Sequence, residues 1–189
     1  MSLRPPAGLM DMTDEAYVPV LEHRPASPYV AITSRVTSGP ELRRAADQGF
    51  PRPYGWLRER ATVPTGPPLI RFRAFDPVGK PTRIDVGVPI AVAIDGGDGI
   101  EVAILPAGKW LTFLHRGPYT HATEPDLAAA HATVRAWAAE RDLPLAKQES
   151  AGDETALSGC MEQYRIGPVE ESDYARWETE VAYLVDRRG

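Results

Sequence analysis

The chain has 189 residues, of which 43% are hydrophobic and 25% charged, with a formal net charge of −5. These values are typical of a globular domain, and the lack of a basic block predicts no nucleic-acid partner. The single cysteine excludes an intrachain disulfide framework. The sequence has neither a signal-peptide core nor an apolar run near the roughly 20 residues of a membrane span, so we expect a cytoplasmic protein without a membrane partner.

In the N-terminal half, the hydrophobic pattern predicts short strands and short helices. Residues 1–16 lack periodicity and are predicted to form a flexible tail, so that a single domain covers residues 17–189. Extended segments are predicted at 17–23, 28–36, 69–75 and 82–93, and helical segments at 41–47 and 54–62. The proline-rich sequence FPRPYG, residues 50–55, predicts a break between the two helical segments.

In the C-terminal half, the pattern predicts strands at 100–105, 110–115, 160–166 and 178–185, and a helix at 125–141. The first two strands are predicted to form a hairpin-like pair. The helix prediction rests on apolar residues at helical spacing, among them Leu127, Val134 and Trp137. A loop rich in glycine, proline and acidic residues joins the last two strands.

One carboxylate lies on an apolar strand face. Alternation in the strand 160–166 puts Glu162 on the same side as Cys160 and Tyr164. A carboxylate in such a position is costly unless a partner satisfies it. Under one interpretation the partner is structural, either an internal hydroxyl or an arginine, Arg71 or Arg165. Under the other interpretation the partner is a bound ligand.

The two halves of the chain also resemble each other weakly. Three pairs of segments match in length and residue type: 56–60 with 137–141, 69–77 with 160–168, and 85–90 with 180–185. We therefore predict an α+β fold of two duplicated β-α-β-β units, about 20–93 and 100–186. The units would be related by a pseudo-two-fold axis and leave a central ligand cleft between them.

The order of these motifs resembles the GyrI-like small-molecule-binding family. This SOUL-like module is the effector-binding domain of AraC- and MerR-type regulators. The resemblance spans roughly residues 17–186 and rests most on LPAG followed by HRGPY, and on E-x-Y followed by P and W-x-T-E. It implies the duplicated fold and a cleft that binds lipophilic, often cationic compounds through aromatic walls and a buried glutamate, with no cofactor. No helix-turn-helix precedes the domain, so we expect a stand-alone form that would regulate only through a partner.

The same resemblance implies which residues form the site. Glu162 matches the buried glutamate of the family. The other ligand-binding candidates are aromatic or acidic: Tyr54, Trp110, Phe113, Tyr119, Tyr164, Trp177, Glu180 and Tyr183. Tyr54 is expected at the rim of the cleft, and each of the other aromatic candidates has a plain alternative as a core residue. Gly167 departs from the family, which commonly has an aspartate there. No metal site is predicted, because His115, His121 and His131 lack the spacing of zinc ligands.

Three functions of different classes fit these residues. The first is a binding module for lipophilic, cationic aromatic molecules, as in multidrug-binding proteins. The second is a hydrolase of cyclopropane-bearing genotoxins, as the resemblance implies for some relatives, with Glu162 as the catalytic base. The third is an effector-sensing or gyrase-inhibitor-type interaction protein, for which a net charge of −5 is too diluted to mimic DNA.

Overall fold

The computed structural model describes residues 18–75, 80–120, 125–148 and 155–186 as a mixed α+β fold. The predicted tail at 1–16 and His121 lie outside the described residues. The strands are β1 (Val20–Arg24), β2 (Ser27–Arg35), β3 (Leu69–Phe75), β4 (Pro81–Pro89), β5 (Glu101–Leu105), β6 (Gly108–Arg116), β7 (Lys147–Gln148), β8 (Thr155–Leu157), β9 (Cys160–Ile166) and β10 (Glu178–Leu184). The helices are α1 (Gly39–Gly49), α2 (Pro51–Glu59) and α3 (Leu127–Ala139), with a short 3-10 helix at Tyr174–Arg176.

The strands form one antiparallel sheet with the main order β1-β6-β10-β9-β3-β4-β2-β5, and β8 pairs with β3 and β7 beside it. Two connections of only two residues, 25–26 and 106–107, join strands near opposite ends of this order. Because a residue spans at most about 3.6 Å, the two ends of the sheet lie close together, and the sheet is curled.

The predicted hairpin of the C-terminal half is wrong. β5 pairs with β2 at one edge of the sheet, whereas β6 pairs with β1 and β10 near the other edge. Two-residue hairpin loops need residues that adopt positive φ, such as Asn-Gly. The connection here is Pro106-Ala107, so it does not reverse the chain into a hairpin.

The helices begin where the sequence supplies capping groups. The Ser38 side chain accepts a hydrogen bond from the Glu41 amide at the start of α1. α2 begins at Pro51, inside the segment that was predicted to be a break, because proline fits the first helical turn, where its missing N–H is not needed. In α3, Asp126 accepts from the Ala129 amide at 3.1 Å.

The two faces of the sheet bury different clusters. The larger cluster lies between the sheet and the helices and includes Ile32, Trp56, Ile70, Val86, Leu127, Val134, Cys160 and Val181. The second cluster lies on the other face and contains Tyr29, Ala31, Leu69, Leu105, Trp110, Ala146, Met161, Ala182 and Leu184. We call the first the helix-covered face. Among the described residues, no helix combines the length and the apolar character that a bilayer span requires.

Candidate functional site

The candidate site is centred on Glu162, in the middle of the sheet. Glu162 lies in β9, opposite Ile70 of β3 and Val181 of β10, so its side chain projects from the helix-covered face. It is only 5% exposed. A buried carboxylate needs hydrogen-bond donors to replace its hydration.

Two side chains supply these donors. The Tyr164 hydroxyl donates to one carboxylate oxygen, Oε2. His131 Nε2 lies 2.9 Å from the other, Oε1. The predicted hydroxyl partner is confirmed in Tyr164. The two predicted arginine partners are wrong, because Arg71 donates to backbone carbonyls and a tyrosine hydroxyl instead. Arg165 pairs with a different glutamate on the opposite face.

His131 is held by a second set of hydrogen bonds. α3 brings it over the sheet, where its Nδ1 lies 2.8 Å from the Tyr183 hydroxyl oxygen. Arg135, one turn further along α3, donates to that same oxygen at 3.2 Å. Because arginine only donates, the Tyr183 proton is available to His131 Nδ1. In that arrangement a neutral His131 donates from Nε2 to Glu162.

An aromatic cluster extends from Glu162 along the helix-covered face. The Tyr164 and Tyr119 rings meet edge to face with centroids 5.3 Å apart, and Phe50 meets Tyr164 at 5.6 Å. Trp177 lies 4.6 Å from Tyr119 in a tilted stack. We call Phe50, Tyr119, Tyr164 and Trp177 the aromatic cluster. Each such pair contributes about 0.5–1.5 kcal/mol beyond area burial, so these rings hold one another in place.

Two glycines shape the backbone around Tyr119, and one of them, Gly167, leaves space for its side chain. Gly117 has a φ of +129°, which a residue with a side chain rarely adopts, and its amide donates to the Trp177 carbonyl at 3.0 Å. A Cβ at Gly167 would lie 2.7 Å from the Tyr119 hydroxyl. The departure of this sequence from the family at Gly167 therefore leaves space that the Tyr119 hydroxyl occupies.

The tyrosines of the site are neutral at physiological pH. Burial, and then the nearby Glu162, raise the pKa of Tyr164 well above its usual value. Burial, with Glu170 and Glu162 close by, raises the pKa of Tyr119 to about 12. Burial also raises the pKa of Tyr183. All three hydroxyls remain hydrogen-bond donors.

Tyr54 lies at the edge of this region. It belongs to α2 and is 39% exposed. Partial burial and the negative charge of Glu170 raise its pKa. Glu170 also raises the pKa of Tyr119. Phe50 of the aromatic cluster lies four residues before Tyr54, at the start of α2, so the two residues share one side of this helix.

The structure does not bring every candidate residue together. Trp110 and Glu180 lie on the opposite face of the sheet from Glu162. Trp110 belongs to the second cluster, and its Nε1 donates to the Pro106 carbonyl at 3.2 Å. Glu180 is 4% exposed and pairs with Arg24 at 2.7 Å and with Arg165.

Phe113 shares the helix-covered face with Glu162 but lies further away. It faces Val181 of β10, which in turn faces Glu162 of β9. Two strand spacings separate Phe113 from Glu162, which is about 10 Å. With 8% exposure, Phe113 packs in the core beside the site.

Sequence reasoning missed four contributors: Phe50, Phe72, His131 and Arg135. The rings of Phe72 and His131 pack edge to face, with their centroids 5.5 Å apart. A signal for two of them was present, because His131 and Arg135 are four residues apart and share one side of a helix. Among the described residues, no group of three or more His, Cys, Asp and Glu is arranged to hold a metal ion.

Comparisons with known proteins give one family and several similar folds. The model of the GyrI-like small molecule binding domain matches residues 18–185. The crystal structure of the EcmrR C-terminal domain superposes with a TM-score of 0.64 and 16% identity, covering 90% of this chain and 98% of that one. SAV2435 bound to tetraphenylphosphonium gives a TM-score of 0.55 and 14% identity, over 90% and 94% of the two chains. A hydrolase from Listeria innocua gives 0.55 and 12%, over 90% and 92%. No curated protein matches this sequence.

A further match corrects the expectation that nucleic acid is no partner. EcmrR in a complex with DNA superposes with a TM-score of 0.66 and 16% identity. The superposition covers 91% of this chain and 58% of that protein. The fold therefore occurs within a DNA-bound protein, and net charge of the domain alone does not exclude such a partner.

Proposed function

This chain belongs to the GyrI-like small molecule binding domain family, and on that premise we propose that it binds lipophilic, cationic aromatic molecules beside Glu162. One observation carries the proposal. Within the described part of the chain, ion-pair geometry joins Glu162 to His131 and to no arginine or lysine. The carboxylate is 5% exposed, and with a neutral His131 its charge is left for a ligand.

The aromatic cluster supplies the rest of the attraction. The faces of Tyr119, Tyr164 and Trp177 each attract a cation by about 0.5–2 kcal/mol when water is excluded. Rings and a single charge select a chemical class instead of one shape, so a site of this kind accepts several ligands. SAV2435, a protein of similar fold, is described as bound to tetraphenylphosphonium, a lipophilic cation, and this supports the same ligand class here.

We also propose that the site lies between duplicated β-α-β-β units, about 20–93 and 100–186. The strand order supports this, because each strand of one half of the sheet has a counterpart at the same distance from the middle in the other half. The counterparts are β9 and β3, β10 and β4, β6 and β2, and β1 and β5. Register supports it as well: Ile70 of β3 and Glu162 of β9 face each other where the two units meet. An axis there makes Ile70 the counterpart of Glu162, so only one unit supplies a carboxylate.

Details of the two units agree with that axis. β3 skips Arg73 in its pairing with β4, and β9 skips Arg165 in its pairing with β10. This equivalence is shifted by one residue from the predicted match of 69–77 with 160–168. Each of these arginines binds a buried acid on the opposite face, Asp85 or Glu180. On the helices, the Arg60 and Arg141 guanidinium groups stack on Trp56 and Trp137 at 3.8 Å and 4.0 Å.

Tryptophan fluorescence tests the proposed site. Titration with tetraphenylphosphonium should quench the tryptophan fluorescence of the wild-type protein. Trp177→Phe should remove most of this quenching, because Trp177 belongs to the aromatic cluster. Trp110→Phe is the matched control, since Trp110 lies on the opposite face. A saturable signal that survives Trp177→Phe and disappears in Trp110→Phe would contradict the assignment.

A second candidate function is a hydrolase. The contact of 2.9 Å between His131 Nε2 and Glu162 Oε1 places an acid and a base together, which suits general acid–base chemistry. A protein of similar fold from Listeria innocua is described as a hydrolase. If this chain hydrolyses cyclopropane-bearing compounds, Glu162→Gln should abolish turnover and keep neutral-substrate binding, because the amide fills the same space without accepting a proton.

A further inference from the structure

The charge of the candidate site depends on one histidine. The His131 side chain is 12% exposed and that of Glu162 is 7% exposed, so neither exchanges its partner for bulk water at low cost. Histidine is the side chain that changes charge between pH 5 and 8. A protonated His131 would compensate the charge of Glu162, whereas a neutral one would not.

The groups that face His131 from each packed element are known. Glu162 of β9 and Tyr183 of β10 contact His131 directly. Tyr164 donates to Glu162, and Arg135 of α3 donates to Tyr183. Burial raises the pKa of the nearby Cys160 thiol, which therefore stays neutral. Burial raises the pKa of Tyr164 and of Tyr183, so both phenols stay neutral below pH 8. Arginine stays charged throughout. The tyrosines and Arg135 therefore keep their charge state in this range.

The hydrogen bonds around His131 accommodate both protonation states. In the neutral state, the Tyr183 hydroxyl donates to Nδ1. When Nδ1 carries a proton, it donates to the Tyr183 oxygen, which has two lone pairs and accepts from Arg135 as well. The Tyr183 proton then turns away from His131, and Cys160 is the residue that pairs with Tyr183 on the neighbouring strand β9. Protonation therefore needs no rearrangement of α3 on the sheet.

From this geometry we propose that His131 selects the charge class of ligand, a regulation that rests on the proposed function. With neutral His131, the Glu162 carboxylate is uncompensated and the site binds lipophilic cations. With protonated His131, the pair is neutral overall, and the site releases cations while it retains neutral ligands. Binding of a cation accordingly expels one proton from the pair.

Calorimetric titrations of the full chain with two probes test this proposal. The probes are tetraphenylphosphonium, a permanent cation, and triphenylmethanol, a neutral molecule with three phenyl rings. In the wild type, the Kd for the cation should rise as pH falls from 8 to 5, by at most about tenfold per pH unit. The Kd for triphenylmethanol should stay constant. Cation binding near the midpoint should also release a fraction of one proton, measured in two buffers of different ionisation enthalpy.

Two variants locate the effect. His131→Gln keeps a donor near the Nε2 position but takes no charge, so the ratio of its cation Kd values at pH 5 and pH 8 should be close to one. His23→Gln, on the exposed edge strand β1, should retain the wild-type pH profile. The buffer measurement needs only the wild type, so it stands even if His131→Gln does not fold.

Three outcomes would overturn the proposal. A cation Kd that does not change with pH, combined with a loss of affinity in Glu162→Gln, would leave the proposed function intact and remove the role of His131. An unchanged pH profile in His131→Gln would assign the proton to another group. Absence of cation binding at every pH would refute the proposed function and this regulation together.

Discussion

Replacement of Glu162 by glutamine is the sharpest perturbation of this site. Glutamine has the same shape and accepts the Tyr164 hydroxyl hydrogen bond on its carbonyl oxygen. It also donates to His131 Nε2 once that imidazole moves its proton to Nδ1 and donates to the Tyr183 oxygen. Every hydrogen bond at Glu162 therefore has a substitute, and the variant differs from the wild type chiefly by one negative charge.

The size of the effect follows from that charge. At about 5 Å and an effective dielectric constant of about 20, a ligand cation and the carboxylate attract by about 3 kcal/mol. Loss of one member of a desolvated charge pair costs about 2–5 kcal/mol. We expect the Kd for tetraphenylphosphonium to rise by about 100-fold in Glu162→Gln. The Kd for triphenylmethanol should change less than about tenfold.

The matched control is Glu180→Gln. Both glutamates are buried in neighbouring strands, 5% and 4% exposed, but Glu180 lies on the opposite face and pairs with Arg24 and Arg165. Its replacement should lower the free energy of unfolding without weakening cation binding. Calorimetry with both probes at pH 8 and urea unfolding of both variants make the comparison. Equal losses of cation and neutral affinity in Glu162→Gln would refute the counter-charge role.

Three further predictions concern the surroundings of the site. Gly167→Ala places a Cβ 2.7 Å from the Tyr119 hydroxyl. It should weaken tetraphenylphosphonium binding and lower the free energy of unfolding in urea by about 1–3 kcal/mol. Unchanged binding would mean that Tyr119 does not contact the ligand. Tyr119 should ionise near pH 12 in the folded protein, and since an unfolded tyrosine ionises near pH 10, the stability that this residue contributes below pH 10 should be lost as pH rises towards 12. Absorbance titration of the wild type against Tyr119→Phe measures this, and a difference that appears at pH 10 would contradict it. Asp85→Ala should destabilise the protein by about 3–5 kcal/mol, because Arg73 and Tyr29 would lose their shared partner on the face opposite the site. The cation affinity of this variant, measured by calorimetry, should stay within about twofold of the wild-type value.

Much of the fold follows from local pattern. The strands predicted at 69–75 and 160–166 are confirmed residue for residue. The mixed α+β class and the family are confirmed too. Strand alternation depends only on neighbouring residues, so it gives the face of Glu162 without any tertiary information.

Strand alternation, applied to β6 and β10, would also have separated Trp110 and Glu180 from the site. Glu180 and Tyr183 are three residues apart in β10, so their side chains project from opposite faces. Trp110 and Phe113 have the same spacing in β6. The resemblance to a family grouped these residues, whereas the alternation of a strand divides them.

By itself, then, the sequence determined the eight longer strands, the family and the face on which the carboxylate lies, because these depend on periodicity and on short motifs. The short strands β7 and β8 were not predicted. Only the tertiary structure decided that β5 lies at one edge of the sheet while β6 lies near the other edge, and that Glu162 is paired with His131 instead of an arginine. These features depend on how α3 docks on the sheet and how far the sheet curls. Helical spacing shows which residues share a side of α3, but the strand position that this side meets is set by packing between distant segments.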